Sequence, residues 1–377
     1  MNVSSIQLSL LIGQFVPTAA PAEIMSAIQS VEVQQGTSSG FQISFLAEPG
    51  AGISTDYALL NSTLLNPGNR VVISVTINAT PRVLMDGIIT HQQLAPDSNG
   101  TTLLTVTGED ISVMMNIYDI PMSYPGLGDY EIVLFVLAKY AALGIVPLAI
   151  PPLTSVASLP VEHVPQQSGT DRSYLQSLAA EHGYVFFVKP GLVPLQNIAY
   201  WGPASRVGIP QKALTVNAGS ATNVDSINFS YDSLAPEQVF GAVSDEDAET
   251  ILPFFTLTST RLPPLSSRPP LIFNQPFVRK SMLDYQGSSW IDAQARAQAI
   301  TNQSVDSVVT ADGTVDILRY GDILSAPGIV GVRGVGFTYD GYYYVKGVTH
   351  QISNGQYKQS FSLAREGTGS TVTGVYA

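Results

Sequence analysis

Residues 331–367 read GVRGVGFTYDGYYYVKGVTHQISNGQYKQSFSLAREG, and this stretch is the strongest local evidence for the fold class. Its first part alternates large and small residues from Val335 to Tyr339, and Asp340-Gly341 follows as a two-residue turn. Aromatic and β-branched residues fill 342–349, and the Ser-Asn-Gly sequence at 353–355 is a second turn. Short alternating segments joined by Asp-Gly and Asn-Gly predict antiparallel β-hairpins. The chain therefore closes on a β-meander, which we expect to belong to a barrel.

A second copy of this arrangement is predicted near the start of the chain. Thr90-His91-Gln92 precedes a turn at 96–100, and Thr349-His350-Gln351 precedes the turn at 353–355. The chain has only four histidines, and two of them lie in this tripeptide before a hairpin turn. Matching hairpins predict two related β units, one early and one late in the chain.

The composition is that of a folded, turn-rich protein with little charge. The 377 residues include 45% hydrophobic and only 12% charged residues, with 32 glycines and 25 prolines. Globular domains usually carry about 25% charged residues, so we expect other subunits to cover much of this surface. The net charge of −12 argues against nucleic-acid binding, because that function requires clustered Lys and Arg. The absence of cysteine excludes disulfide and thiolate chemistry.

Neither a signal peptide nor a membrane span is predicted. The N-terminal segment has no basic residues and alternates like a strand, which is not typical of a cleaved leader. The apolar segment 132–150 has about the length that a bilayer requires, but Lys139 lies near its centre and Gly144 interrupts it. We predict instead a helix over 130–143 that ends at Gly144, and no stable membrane insertion.

The chain divides into segments of different sequence pattern. Thr170 is predicted to cap a helix over 173–181, which leads into a strand over 184–188. A serine-capped helix is predicted over 288–298, whereas the proline-rich residues 253–276 should carry little regular structure. The predicted segments are a first β unit (1–112), an α/β unit (113–211), a second β unit (212–235 and 305–367), a proline-rich insertion (236–304) and a C-terminal tail (368–377).

The residues that usually carry catalysis form no recognisable constellation. No HExxH, GxSxG or EF-hand pattern occurs. We expect His91 and His350 to be hydrogen-bonded strand residues, His182 to cap a helix C-terminus, and His163 to lie in a loop without a partner ligand. The acidic residues 245–249 lack the glycine turn of a calcium loop and are interpreted as a solvated helix start. The sequence therefore predicts no enzymatic activity, no cofactor and no metal site.

Several blocks of the sequence resemble the phage late control protein D family, the baseplate hub of contractile tails and related injection systems. The first block is 166–186, which is also similar to a segment of type VI secretion spike proteins. The second joins Tyr-Trp-Gly-Pro at 200–203 to 214–224, and the third runs over 319–367. Together with the hairpin at 39–42, these blocks cover most of the chain in the order that the family has.

The resemblance implies an α+β, β-rich fold with two tube-like antiparallel β-barrels, one in each β unit, and intervening α/β domains. Three copies would form a pseudo-sixfold homotrimer, because two similar barrels per chain give six per trimer. The chain would join the sixfold inner tube, or a tube-initiator protein, to a separate trimeric spike protein, beside other baseplate proteins. About ten residues follow Glu366, too few for a spike domain. The expected location is the baseplate of a phage virion or tail-like injection particle, after assembly in the cytoplasm.

Four aromatic residues are candidates for subunit contacts. We expect Trp201, Tyr342, Tyr343 and Tyr344 either at such contacts or in the interior of the chain, because large aromatic side chains are common in both places. Two other classes of function stay open at this point. A secreted carbohydrate-binding or adhesin-like protein would be a monomer with affinity for glycans. A tail-associated cell-wall hydrolase would need a carboxylate pair or a metal triad in a cleft.

Overall fold

The first β unit is built from strands in which buried and more exposed residues alternate. A computed structural model describes residues 6–14, 16–48, 57–96, 102–152, 164–245, 250–285, 289–353 and 355–373. In this unit every second residue of a strand points into the core, as Phe41, Ile43 and Phe45 do, which is the geometry of a strand with one buried face. Its elements are β1 (Ile6–Gly13), β2 (Thr18–Ala19), α1 (Ala22–Ala27), β3 (Ile28–Gln35), β4 (Gly40–Ala47), α2 (Ala58–Asn61), β5 (Arg70–Ile77), β6 (Thr80–Pro96) and β7 (Thr102–Asp110).

Two helices pack on a small sheet in the α/β unit. Thr170 caps the second helix as predicted, because its hydroxyl accepts a hydrogen bond from the Ser173 amide. The helix predicted over 130–143 is shorter, since its regular turns end at Ala138 and a 3-10 turn leads to Gly144 at φ 82°. None of the helices in the described part of the chain is long and apolar enough to cross a membrane. The elements are β8 (Met122–Ser123), α3 (Asp129–Ala138), β9 (Ile145–Ala149), β10 (Gln166–Gln167), α4 (Asp171–Glu181), β11 (Val185–Pro190) and β12 (Asn197–Gly202).

The second β unit begins with two strands and is then interrupted by the insertion, which has its own core. Val239 and Phe254 pack there against alanines on one face of a long helix. This helix is capped by Ser289 and continues to Val305, so the expectation that Val305 opens the returning β unit was wrong. The proline-rich residues 253–276 also contain more regular structure than predicted. The elements are β13 (Gln211–Thr215), β14 (Ser226–Tyr231), β15 (Glu237–Asp245), β16 (Thr250–Phe255), α5 (Pro270–Phe273), β17 (Arg279–Met282) and α6 (Trp290–Val305).

The closing meander contains the predicted hairpins, but one loop differs. The predicted strand from Val335 to Tyr339 is instead a loop, because Gly334 and Gly336 have φ values of 94° and 92° that end the strand before them. An added Cβ at Gly334 would lie 1.9 Å from the Val216 carbonyl oxygen, so only glycine fits this approach. Of the predicted turn at 353–355, the middle residue lies outside the described residues. The elements are β18 (Val309–Asp316), α7 (Ile317–Tyr320), β19 (Gly328–Arg333), β20 (Gly341–Ser353) and β21 (Gln356–Arg365).

The strands of both β units join in one sheet of 13 strands. Its order is β14-β18-β21-β20-β3-β4-β7-β6-β5-β1-β2, and β19 with β13 branches from β20. This path has two ends, and within the described ranges its hydrogen bonds do not close into a barrel. The expectation of two closed barrels is corrected in this respect, because β20 pairs with β3 of the other unit. Side chains of both units also share a single hydrophobic core.

Candidate functional site

The two β units repeat the same order of five strands. In the first unit the order is β3-β4-β7-β6-β5, and in the second it is β14-β18-β21-β20-β19. The matching strands also follow one another in the same order along the chain, and β4 and β18 are each followed by a short helix. The predicted duplication is therefore present in the strand topology.

The match extends to individual residues. The eight residues of β4 pair without interruption with 102–109, and the eight residues of β18 pair in the same way with 358–365. When β4 is aligned with β18 from their first residues, Gly40 corresponds to Val309. Their strand partners then correspond as well, so Glu109 corresponds to Arg365. From this alignment, each residue of the first unit's strands can be matched to a residue of the second unit's strands.

The repeated Thr-His-Gln tripeptide does not lie at corresponding positions. His350 pairs with Gln359, which corresponds to Leu103, and Leu103 pairs with Ala95 rather than with His91. His91 is exposed, whereas His350 is fully buried and its Nδ1 lies 2.7 Å from the Tyr357 hydroxyl. The tripeptide thus pointed to a real duplication, but it does not itself repeat in the structure.

One edge of β20 serves two partners. Residues 341–345 pair with β19, and residues 348–353 of the same edge pair with 30–35 of β3. The second pairing is antiparallel and joins the two β units, and we call it the internal seam. It shows that the edge of a second-unit strand fits the first strand of the other unit.

The strands that correspond to those of the internal seam have open edges. In β6, residues 80–88 pair with β5, but residues 91–96 pair with no described residue on that edge. At the other end of the sheet, β14 pairs with β18 alone among the described strands. All residues of 91–96 and of β14 are exposed or half-buried. Unpaired strand edges present free N–H and C=O groups and favour pairing with another chain.

The four aromatic candidates for subunit contacts fall into two groups. Trp201 and Tyr343 are fully buried in the single chain, where the Trp201 indole donates to the Leu175 carbonyl oxygen at 3.2 Å. Tyr342 and Tyr344 are half-buried on the opposite face of β20. Trp201 and Tyr343 thus occupy the interior position that the sequence left open. Contact of any of the four with another subunit stays a prediction.

A cluster of ion pairs joins three parts of the chain. Arg206 donates to Glu366 at 2.8 Å and to Asp306 at 3.1 Å. Arg261 of the insertion also contacts Asp306, at 2.7 Å, and donates to the Gly183 carbonyl oxygen at 2.9 Å. The cluster fixes the α/β unit, the insertion and the second β unit against one another. Sequence reasoning missed it because its partners are distant in the chain and carry no local pattern.

The histidines and acidic residues of the described ranges are spread over the chain. Within the described ranges, no group of three or more His, Asp or Glu residues is placed to hold a metal ion. His182 contacts Asp129 at 2.7 Å and so links α3 to α4. His163 lies outside the described residues, as does most of the acidic segment 245–249.

Comparison with solved structures shows which proteins share this fold. No family model matches the sequence, and no curated protein matches it. A tail protein from Neisseria meningitidis MC58 is 14% identical with a TM-score of 0.63, over 97% of this chain and 98% of its own. The 43 kDa tail protein of prophage MuSo2 from Shewanella oneidensis is 13% identical with a TM-score of 0.63, over 95% and 98%. An E. coli type VI secretion component is 14% identical with a TM-score of 0.52, over 90% and 73%. The chain therefore has the fold of phage tail proteins and of type VI secretion proteins related to them.

Proposed function

We propose that this protein is a non-enzymatic baseplate hub of the late control protein D type. Three copies form a ring that joins a sixfold inner tube, or its initiator protein, to a separate trimeric spike protein. The ring is part of a phage virion or a tail-like injection particle, is assembled in the cytoplasm and contacts other baseplate proteins. Support comes from the shared fold with phage tail and type VI secretion proteins and from the duplicated β units.

The observation that carries this proposal is the internal seam. Within one chain, the second half of β20 pairs with β3. The corresponding edges, 91–96 of β6 and the outer edge of β14, pair with none of the described strands. If β14 of one copy pairs with β6 of the next, the same seam recurs between chains. Repetition of one contact around a closed ring is the usual route to cyclic symmetry.

The internal seam also predicts the register between copies. His350 pairs with Val33 in the internal seam. His350 corresponds to Ala95, and Val33 corresponds to Ser230, because the two pair with corresponding residues of β4 and β18. We therefore expect Ala95 of one copy to pair with Ser230 of its neighbour.

The duplication is unequal at the two ends of the shared strands, as a symmetry adaptor requires. At one end, both units carry similar features, namely the ends of β6 and β20 and the helices α2 and α7. From the other end emerge the α/β unit, after β7, and the insertion, after β14, and neither has a counterpart among the described residues. A trimer would present six similar positions at the first end and three at the second. We assign the tube to the first end and the spike to the second.

A pair of engineered cysteines tests both the trimer and its register. The natural chain contains no cysteine, so any disulfide in an Ala95→Cys/Ser230→Cys variant joins the introduced residues. Residues opposite each other in antiparallel strands have Cα atoms about 4.5–5.5 Å apart, within the range that a disulfide spans. We expect a reducible covalent trimer on a denaturing gel, and light scattering of the wild type near 120 kDa (three times 40.1 kDa).

The matched control moves one cysteine along the same strand. Asn228 lies two residues from Ser230 on the same face of β14, so Ala95→Cys/Asn228→Cys should cross-link far less. Mixing the two single variants Ala95→Cys and Ser230→Cys should give covalent dimers, because the bond forms between chains. A monomer in light scattering would overturn the hub. A trimer without the cross-link would overturn only the register.

A further inference from the structure

A cavity of about 240 Å³ lies where the first β unit, the α/β unit and the second β unit meet. Its walls come from the end of β3, the first half of β6, the end of β11 and the loop before β19. Apolar atoms form most of its surface, contributed for example by Val188, Ile198 and Ile323. The polar side chains that line it are those of Gln35, Ser39, Arg82, Asp110, Lys189 and Ser325. Concave, mainly apolar sites with a few polar groups are typical of ligand binding.

The two basic residues of the cavity have no acidic partner. Neither Lys189 nor Arg82 occurs in any ion pair of the described residues. Lys189 is half-buried, and burial lowers the pKa of its ammonium group, with no neighbouring charge that offsets this effect. Arg82, near the start of β6, is exposed, so Lys189 is the cation of the cavity that burial affects. Partial burial of an unpaired ammonium group costs free energy, so the Lys189 side of the cavity favours an anionic ligand.

Gln35 supplies a hydrogen-bond acceptor to the cavity. Gln35 is 9% exposed, and its amide nitrogen donates to the Leu84 carbonyl oxygen at 2.8 Å. Its Oε1 is buried and has no hydrogen-bond partner among the described residues. A buried acceptor without a donor costs free energy, so a ligand that brings an N–H or O–H group would gain from it.

Asp110 also lines the cavity, but it is not the missing counterion. Its carboxylate accepts a hydrogen bond from the Ser112 amide at 2.8 Å, as the cap of a short 3-10 turn. Burial raises the pKa of Asp110, and the cation that acts on it is Arg172, not Lys189. The two cations of the cavity therefore remain available for a ligand.

We propose that this cavity binds the carboxylate end of a peptide-like ligand, an N-acylated amino acid with an apolar side chain. The carboxylate lies between Lys189 and Arg82, the amide N–H donates to Gln35 Oε1, and the side chain contacts the apolar wall. A free acylated amino acid and the C-terminus of a partner polypeptide share this chemistry. The inference does not depend on the hub assignment, because it concerns a cavity within one chain.

Binding of two small probes tests the proposal. N-acetyl-leucine carries both groups, and N-acetyl-leucinamide has the same shape without the carboxylate. We expect calorimetry or ligand-observed NMR to show binding of the acid to the full-length wild type, and at least about tenfold weaker binding of the amide. A peptide of the same C-terminal residue would bind more tightly than N-acetyl-leucine if a partner polypeptide is the source, and no better if it is a free metabolite.

Matched variants separate a direct role of Lys189 from a loss of folding. Lys189→Met keeps the apolar stem and removes the charge, so we expect about tenfold weaker binding of the acid together with a higher unfolding temperature without ligand. Lys280→Met, at an exposed site on β17, should change neither property. Equal binding of acid and amide, no binding by the wild type, or unchanged affinity in Lys189→Met would each overturn the proposal.

Discussion

The two β units share a topology but differ in what surrounds their corresponding strands. The second half of β20 is covered by β3, so His350 is fully buried, whereas the corresponding half of β6 is open and Ala95 is exposed. The first unit runs without a large insertion, while the second carries the insertion between β14 and β18. The two units thus have the same strand order but different side chains, with different burial, at corresponding positions.

The burial of a position and its contacts, rather than strand order, determine which side chain it carries. Glu109 and Arg365 correspond in register, yet Glu109 is half-buried and pairs with Arg172, whereas Arg365 is fully buried. Corresponding residues therefore make matched pairs for experiment. Each of the following substitutions changes one unit and is judged against a substitution nearby or in the other.

The largest effect is expected at Arg365. Its guanidinium donates to the carbonyl oxygens of Asp340 at 2.9 Å and Thr338 at 2.5 Å, and its Cζ lies 4.4 Å from the centre of the Tyr343 ring. Arg365→Met would remove both hydrogen bonds and the contact of the buried guanidinium with the Tyr343 ring, while the Thr338 carbonyl oxygen would keep only the Gly369 amide as a donor. We expect the free energy of unfolding to fall by about 3 kcal/mol, measured from urea denaturation.

The matched control is Glu109→Gln in the first unit. Its partner Arg172 lies 2.6 Å away, but nearly half of the Glu109 side chain is exposed. Partly exposed ion pairs contribute about 1 kcal/mol or less, so the loss should be clearly smaller. Equal losses in the two variants would show that the burial of Arg365 does not increase its contribution to the free energy of unfolding.

The next effect is a dependence of stability on pH that comes from His350. Burial lowers its pKa in the folded chain to about 3, from about 6.5 in an unfolded chain. Below pH 6.5 the unfolded chain therefore takes up a proton that the folded chain does not. The free energy of unfolding should fall by about 1.4 kcal/mol per pH unit, or about 2 kcal/mol at pH 5.

Comparison of variants isolates this contribution from the carboxylates, which titrate in the same range. The His350→Gln variant should lose less stability between pH 7 and pH 5 than the wild type, by about 2 kcal/mol. His91→Gln, at the exposed histidine of the first unit, should keep the dependence of the wild type. If both variants follow the wild type, His350 is accessible to protons in the folded chain.

Local patterns predicted a good part of this fold, and pairings between distant segments were the part they missed. The Thr170 cap and the hairpin of β20 and β21 follow from residues close together in the chain. The internal seam joins residues more than 300 positions apart, and nothing in either strand indicates its partner. The open edges of β6 and β14 were missed for the same reason. Whether an edge is open depends on the pairing of distant segments, which the sequence of the strand itself does not indicate.

For the aromatic residues 342–344, the sequence correctly predicts a strand but does not predict which part of the protein its buried face contacts. The period of two correctly separates Tyr343 from its neighbours, since Tyr343 is buried and Tyr342 and Tyr344 are half-buried. The pattern does not say whether the buried face meets its own chain or another. In this case the face of Tyr343 is covered by Phe229 and Arg365 of the same chain.

The smallest effect concerns the turn between β5 and β6 and the corresponding loop between β19 and β20. The turn between β5 and β6 consists of Asn78 and Ala79 at φ values of 50° and 65°, whereas the corresponding loop of the second unit uses glycines at its positive φ positions. Alanine is strained in this region by about 1 kcal/mol, while asparagine tolerates it better. Ala79→Gly should therefore raise the free energy of unfolding by about 0.5 kcal/mol, after about 0.5 kcal/mol for the entropy of the more flexible unfolded chain is subtracted. Asn78→Gly should gain less, and an equal or larger gain at Asn78 would mean that strain at Ala79 is relieved by other contacts of the turn.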